Sequence, residues 1–146
     1  MQSSVSAIDW ALFVARLAAG IIFMAHGSQK LFGAFDGPGL AGVVRFMGPI
    51  GYLVAIGEFF GGLGLILGFL CRFSATSLIG VMFGAIALVH WKNGFFLGKA
   101  PGFEFNLSLI GLLASILIAG PGRLAIGRYL PLPKVRGSER PILLLE

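Results

Sequence analysis

The sequence predicts an all-α integral membrane protein: a four-helix bundle with short loops and an interfacial C-terminal helix and tail. Three observations carry this. The chain is 57% hydrophobic and only 12% charged, with a mean hydropathy of +0.93; it contains four apolar runs of near-crossing length; and glycine and proline punctuate the intervals between them. Soluble domains average roughly 45–50% apolar and about 25% charged residues, so a water-soluble globule is excluded. Each crossing takes about 20 residues, and four of them use most of a 146-residue chain. One membrane domain over 1–146 results.

The runs fall at 10–31, 50–70, 73–89 and 105–119, separated by Gly37-Pro38-Gly39, Gly48-Pro49, Pro101-Gly102 and Pro121-Gly122. Lipid cannot satisfy an exposed backbone, so such runs must be helices or a closed barrel, and their lack of strict alternation excludes the barrel. The first run has no basic flank and no small-residue cleavage site before Gln29-Lys30, which makes it a retained helix and not a leader. Residues 34–47 and 91–102 read as loops. In the tail, 122–146, residues 124–130 suggest a short amphipathic interfacial helix, and Pro141 to Leu145 offer an apolar end for a partner.

Four crossings put both termini on one side. Arg72, Arg123, Arg128, Lys134, Arg136 and Arg140 fall there, against Lys30, Arg45, Lys92 and Lys99 opposite, which favours cytoplasmic termini. The net charge of +5 is spread between apolar runs and the tail, so it describes membrane topology and no nucleic-acid surface. Cys71 is the lone cysteine; no metal cluster and no covalent cofactor are expected, and redox chemistry would need a borrowed cofactor.

Small residues stripe the helix faces. Gly57, Gly61, Gly64 and Gly68 lie on one side of the second run and are expected to pack it against a neighbour. Arg16, Gly20, Phe23, Gly27 and Lys30 share a face of the first, and Glu104, Ser108, Gly111 and Ser115 a face of the fourth; both faces are expected to point into the bundle. Alternating helix direction then brings His26, Gln29, Lys30, Glu58, His90, Glu104 and Asn106 to similar depths in the outer half, with Arg16 alone in the inner half. An ionisable group near the bilayer centre costs at least roughly 2.5–3.5 kcal/mol, so Glu58 needs a partner, for which Arg16 is one choice, or must be neutral.

The sequence resembles the DoxX family of small bacterial and archaeal membrane proteins. The resemblance is carried by Arg16-Leu17 with Gly20, by His26-Gly27-Ser28-Gln29-Lys30-Leu31-Phe32-Gly33, by Gly37-Pro38-Gly39-Leu40 and by Glu58-Phe59-Phe60-Gly61-Gly62-Leu63. It continues through Val89-His90-Trp91-Lys92-Asn93-Gly94-Phe95-Phe96, Gly102-Phe103-Glu104-Phe105 and Gly120-Pro121-Gly122. It implies a four-helix membrane fold in a bacterial or archaeal cytoplasmic membrane. Some relatives are described as subunits of a thiosulfate:quinone oxidoreductase and others are linked to oxidative or quinone stress. The polar positions it carries over are Arg16, His26, Gln29, Lys30, Glu58, His90, Asn93 and Glu104.

Three functions fit these residues. The first is a membrane subunit of a quinone-linked or redox-stress oxidoreductase system, without its own redox cofactor, binding quinone among those polar side chains with Phe23, Phe59, Phe95 and Phe96 as walls. The second is a non-catalytic assembly subunit of a larger membrane complex, held to membrane or peripheral protein subunits by its glycine stripe and tail. The third is a small proton-coupled transporter with Glu58 as carrier, against which stands the absence of inverted repeats.

Overall fold

A computed structural model describes residues 4–129. The first helix, α1, spans Ala7–Phe32 and starts at a Ser6 cap whose hydroxyl accepts from the Asp9 backbone N–H. The Asp9 carboxylate closes the capping box by accepting from the Ser6 N–H at 2.9 Å, and it also accepts from the Arg123 N–H at 2.8 Å. One side chain thus satisfies a helix start and ties the far end of the chain to it. Helix α1 stops at Gly33, whose φ of 71° suits glycine.

Helix α2, Gly39–Met47, occupies the stretch expected to be a loop. Its nine residues are too few to cross, which hid it from a search for spans. Leu40, Val43, Val44 and Met47 nevertheless carry the i, i+3, i+4, i+7 spacing of an amphipathic helix, and Val43 is buried between α2 and its neighbours. Gly48-Pro49 then turns the chain into α3, Ile50–Leu67. This helix ends three residues before the expected Leu70 because Gly68 takes the left-handed conformation, φ 73°.

Helix α4 spans Cys71–Ala85, loosens into a π-helical turn over Ile86–His90 and finishes in a 3-10 turn at Trp91–Asn93. Helix α5, Glu104–Ala119, follows the loop; its 16 residues rise about 24 Å. Helix α1, helix α3 and the stretch Cys71–Asn93 are each long and apolar enough to cross a membrane, and α5 is a shorter apolar helix. Ile8, Val14, Ile21, Leu53, Phe83 and Ile118 face outward, as the hydrocarbon of a bilayer requires and water would not.

The core joins α1, α3, α4 and α5 through Phe23, Leu65, Leu78, Leu113 and Ile116. Its tightest seam is α1 against the antiparallel α3. A Cβ built on Gly62 would stand 2.6 Å from the Met24 nitrogen and 2.7 Å from the Gly20 carbonyl oxygen, and one on Gly27 would meet the Phe59 backbone. The expected stripe is only partly the packing surface. Gly61 meets Leu78, Gly64 meets Ser74, and Gly68 meets Arg16 and Ala125, but nothing lies within 4 Å of a Cβ on Gly57.

Arg16 is fully buried at the end of the bundle where the chain begins, hereafter the proximal end. Its guanidinium donates to the Leu65 carbonyl at 3.4 Å and the Leu124 carbonyl at 2.5 Å. It therefore caps the C-terminal turn of α3, where a cation complements the helix dipole, and does not meet Glu58. Of the helix expected over 124–130, the structure forms a 3-10 turn at Ile126–Tyr129, drawn onto the bundle by the Gly127 N–H bonding Gly68 O at 3.0 Å. Leu130 and Pro141 to Leu145 lie outside the described residues. Arg16→Met is expected to cost about 1–3 kcal/mol for each carbonyl it orphans, read as faster amide exchange at residues 124–129 and a lower Tm.

Candidate functional site

A cleft of about 1330 Å³ opens along the side of the bundle. Towards the distal end, opposite the termini, it is lined by all five helices: Phe23 and His26 of α1, Val43 and Phe46 of α2, Glu58 of α3, Met82 and Ala85 of α4, and Phe105 with Asn106 of α5. Its polar side chains gather there, and the rest of its lining is almost wholly apolar. Such a cavity, mainly hydrophobic with a few convergent polar groups, is the ordinary form of a small-molecule site.

Lys30 and Glu58 form the one ion pair among the described residues, Lys30 Nζ donating to Glu58 Oε2. Glu58 is almost wholly buried, while the Lys30 side chain keeps 23% of its surface exposed. The pair resolves the question of Glu58: its counter-charge comes from the distal end of α1. His26 and Gln29, on the same helix, also line the cleft and make no side-chain hydrogen bond among the described residues. The His26 ring lies 6.5 Å from that of Phe105. Asn106, buried at the same end, donates to Met82 Sδ at 3.4 Å, a weak acceptor that leaves its amide oxygen available.

His90 reaches the cleft from the π-helical turn, a distortion frequent at functional sites. Its Nδ1 stands 2.8 Å from the Pro101 carbonyl oxygen. A carbonyl can only accept, so Nδ1 carries a proton, and in the neutral ring Nε2 is an acceptor. Asn93 donates to the same carbonyl at 3.0 Å, and Glu104 Oε1 accepts from the Leu97 N–H at 2.6 Å. Asn93 and Glu104 are absent from the cleft lining; with His90 they clasp the loop over 94–103. Glu104→Ala is expected to raise amide exchange at Leu97 about tenfold, the loss of one hydrogen bond to a charged group, with the helices unaffected.

The expected constellation is thus divided. His26, Gln29, Lys30, Glu58 and His90 share the cleft; Arg16 sits at the proximal end, and Asn93 and Glu104 flank the loop over 94–103. Of the expected walls only Phe23 lines the cleft. Phe59 packs on Phe32 and Phe60, and Phe95 on Phe96 and Phe103; Phe46, Phe60 and Phe105 take their place. The face of α5 carrying Ser108, Gly111 and Ser115 points outward, and Asn106, Leu109, Leu113 and Ile116 face the core instead. Phe46 lies off the apolar stripe of α2 and no spacing marks it, whereas Gly80 and Gly84, four residues apart in α4, could have revealed the cleft's second wall.

These features define a class: a small helical membrane protein whose bundle holds a side-opening cleft, polar at one end. The DoxX family model matches residues 11–91, and the chain belongs to the DoxX family. It is 32% identical over 129 residues to a protein of Escherichia coli (strain K12) named "Inner membrane protein YqjF", the match taking in 84% of this chain and 93% of that one. It is 31% identical over 134 residues to "Putative oxidoreductase CatD" of Bacillus subtilis (strain 168), covering 84% of this chain and 89% of that one. No solved structure matches it.

Proposed function

We propose that this chain is the quinone-binding membrane subunit of an oxidoreductase system, with the headgroup held at the distal end of the cleft. The observation that carries the reading is the gathering of His26, Gln29, Lys30, Glu58 and His90 at the enclosed end of an otherwise apolar cleft. The word oxidoreductase in the name of the Bacillus subtilis relative is a second support. A cytoplasmic-membrane location with cytoplasmic termini belongs to the reading, supported by the Escherichia coli relative's name and the Lys/Arg balance.

The residues fit such a group. A quinone ring is flat, has two carbonyl acceptors, and when bound supplies two-electron, two-proton redox chemistry. His26 and Gln29 carry donors with no partner among the described residues, and Lys30 has two further ammonium protons beyond the one given to Glu58. Phe23, Phe46 and Phe105 offer apolar faces. Glu58 holds the Lys30 ammonium in the cleft, and His90 Nε2 is a proton acceptor whose ring is fixed by Pro101. The electrons come from a partner subunit.

The test is purification in a gentle detergent, identification of co-purifying proteins, and extraction of bound lipid-soluble molecules. Quinone is expected with the native chain and reduced several-fold by His90→Ala, a variant that leaves the Lys30–Glu58 pair intact. A well-folded native preparation that neither retains nor binds quinone overturns the reading. A non-catalytic assembly subunit is favoured instead by the outward face of α5, where nothing meets a Cβ on Gly111 and small residues would admit a partner helix closely. It requires that Gly111→Leu release partner subunits and that His90→Ala have no effect.

A further inference from the structure

We infer that the cleft accommodates more than a ring: its α3–α4 side is a slot for the long prenyl tail of a membrane quinone, which enters and leaves sideways through the lipid. This rests on the quinone reading above and adds the class of quinone. The first ground is the way the walls change with depth. All five helices contribute lining at the distal end, whereas towards the proximal end it comes from α3, α4 and their connection alone, through Gly64, Leu67, Phe69, Leu70, Phe73 and Ser74. A polar end lined by many helices therefore continues into an apolar stretch lined by two. Its wall on the α4 side runs from Leu70 to His90, about 30 Å at the helical rise and about the thickness of the hydrocarbon core.

The second ground is what the glycines of the slot do not do. Gly20, Gly27 and Gly62 are accounted for by helix contact within the chain, since a Cβ on any of them would strike backbone. Gly57, Gly80 and Gly84 line the cleft and would meet no heavy atom within 4 Å. Glycine in a helix interior is unfavourable relative to almost any other residue, and packing inside this chain does not explain these three. Gly80 and Gly84, four residues apart, share one face of α4 and leave a furrow leading towards the polar end. Transfer of a tail from lipid into the furrow brings no hydrophobic gain, because lipid is equally apolar. The furrow gives the tail a path past Gly84 and Gly80, where no side chain stands on the α4 wall.

A partner helix is a poorer occupant. At about 10 Å across it could lie along the slot between α3 and α4 but not among the five helices that line the distal end, and the polar groups there would stay unmet. An amphiphile with a flat head and a flexible tail fills both parts.

The experiment uses the full chain in nanodiscs, native and Gly80→Leu/Gly84→Leu. Open space at both positions lets the leucines fold in without a clash, and an unchanged Tm verifies it. Binding is measured for ubiquinone with its full prenyl tail and for the tail-less ring 2,3-dimethoxy-5-methylbenzoquinone. The expected result is a loss of about tenfold or more for the tailed quinone, the effect of an obstructed path at ordinary overpacking cost, with the tail-less ring bound as by the native chain. Equal binding of the tailed quinone to both proteins overturns the slot while leaving the headgroup site standing. Failure of the native chain to bind either probe overturns the headgroup reading and the slot with it. Loss of co-purifying phospholipid from the variant, with quinone binding unchanged, assigns the furrow to a lipid acyl chain and also overturns the inference.

Discussion

Replacement of Lys30 by methionine is expected to destabilise the bundle by about 3–5 kcal/mol, because it leaves the Glu58 carboxyl buried without its counter-charge. Glu58 is 3% exposed and has no other hydrogen-bond partner among the described residues. The reverse replacement, Glu58→Gln, is expected to cost less. Lys30 is longer and keeps part of its surface exposed, so its ammonium can turn towards the distal interface, where charge is cheap, and the glutamine oxygen still accepts a hydrogen bond. Joint replacement, Lys30→Met with Glu58→Leu, is expected to recover most of the loss, since an apolar pair of similar volume avoids both desolvation penalties. Thermal unfolding of the four proteins in one detergent checks the order. Equal Tm values for the native chain and Lys30→Met would show that the pair contributes nothing.

Gly62→Leu is expected to be the most damaging of the glycine replacements. The atoms a Cβ would strike are the Met24 nitrogen and Gly20 carbonyl oxygen, which belong to the backbone of α1 and cannot rotate away. Overpacking a core ordinarily costs about 1–3 kcal/mol, and a side chain driven between two helix backbones should reach or exceed the upper figure. The control lies within the same helix: Gly57→Ala meets nothing and should be neutral or slightly stabilising, as alanine is the better helix former. Tm and the yield of monodisperse protein after purification distinguish the two.

That contrast also marks what the sequence could and could not reveal. Hydropathy located every long helix within a few residues, because crossing a bilayer demands a length of apolar chain that few other structures need. It passed over α2, whose nine residues fall below that length. The glycine spacing in the second run was a true signal of a narrow face but not of the neighbour it meets, since Gly61 and Gly64 face α4 and the seam with α1 runs through Gly62. The partner of Glu58 was likewise hidden. Arg16 and Lys30 share a face of α1, and only the antiparallel register decides between them. That register sets Gly20 beside Gly62, Gly27 beside Phe59, and Lys30 beside Glu58, leaving Arg16 near Leu65 at the far end of α3. His26, Gln29, Lys30, Glu58, His90 and Asn106, which alternating helix direction puts at similar depths without any knowledge of packing, line one cleft. Glu104 belonged to that depth estimate too, but like Asn93, which the family resemblance supplied, it serves a loop fold that no periodicity announces.

The seam between α1 and α3 has a mechanical consequence. Helices touching backbone to backbone have no cushion of side chains that could switch rotamers, so neither can slide or roll on the other without collision. The two behave as a stator. Any change in the width of the cleft would then fall to the opposite jaw, α4, which is joined to α3 by the short turn at Gly68 to Leu70 and at its other end gives up regular α-helical bonding in the π-helical turn at Ile86–His90. A swing of that jaw would carry His90 with it while Lys30 and Glu58 stay still, coupling the aperture of the cleft to the spacing of its own polar groups.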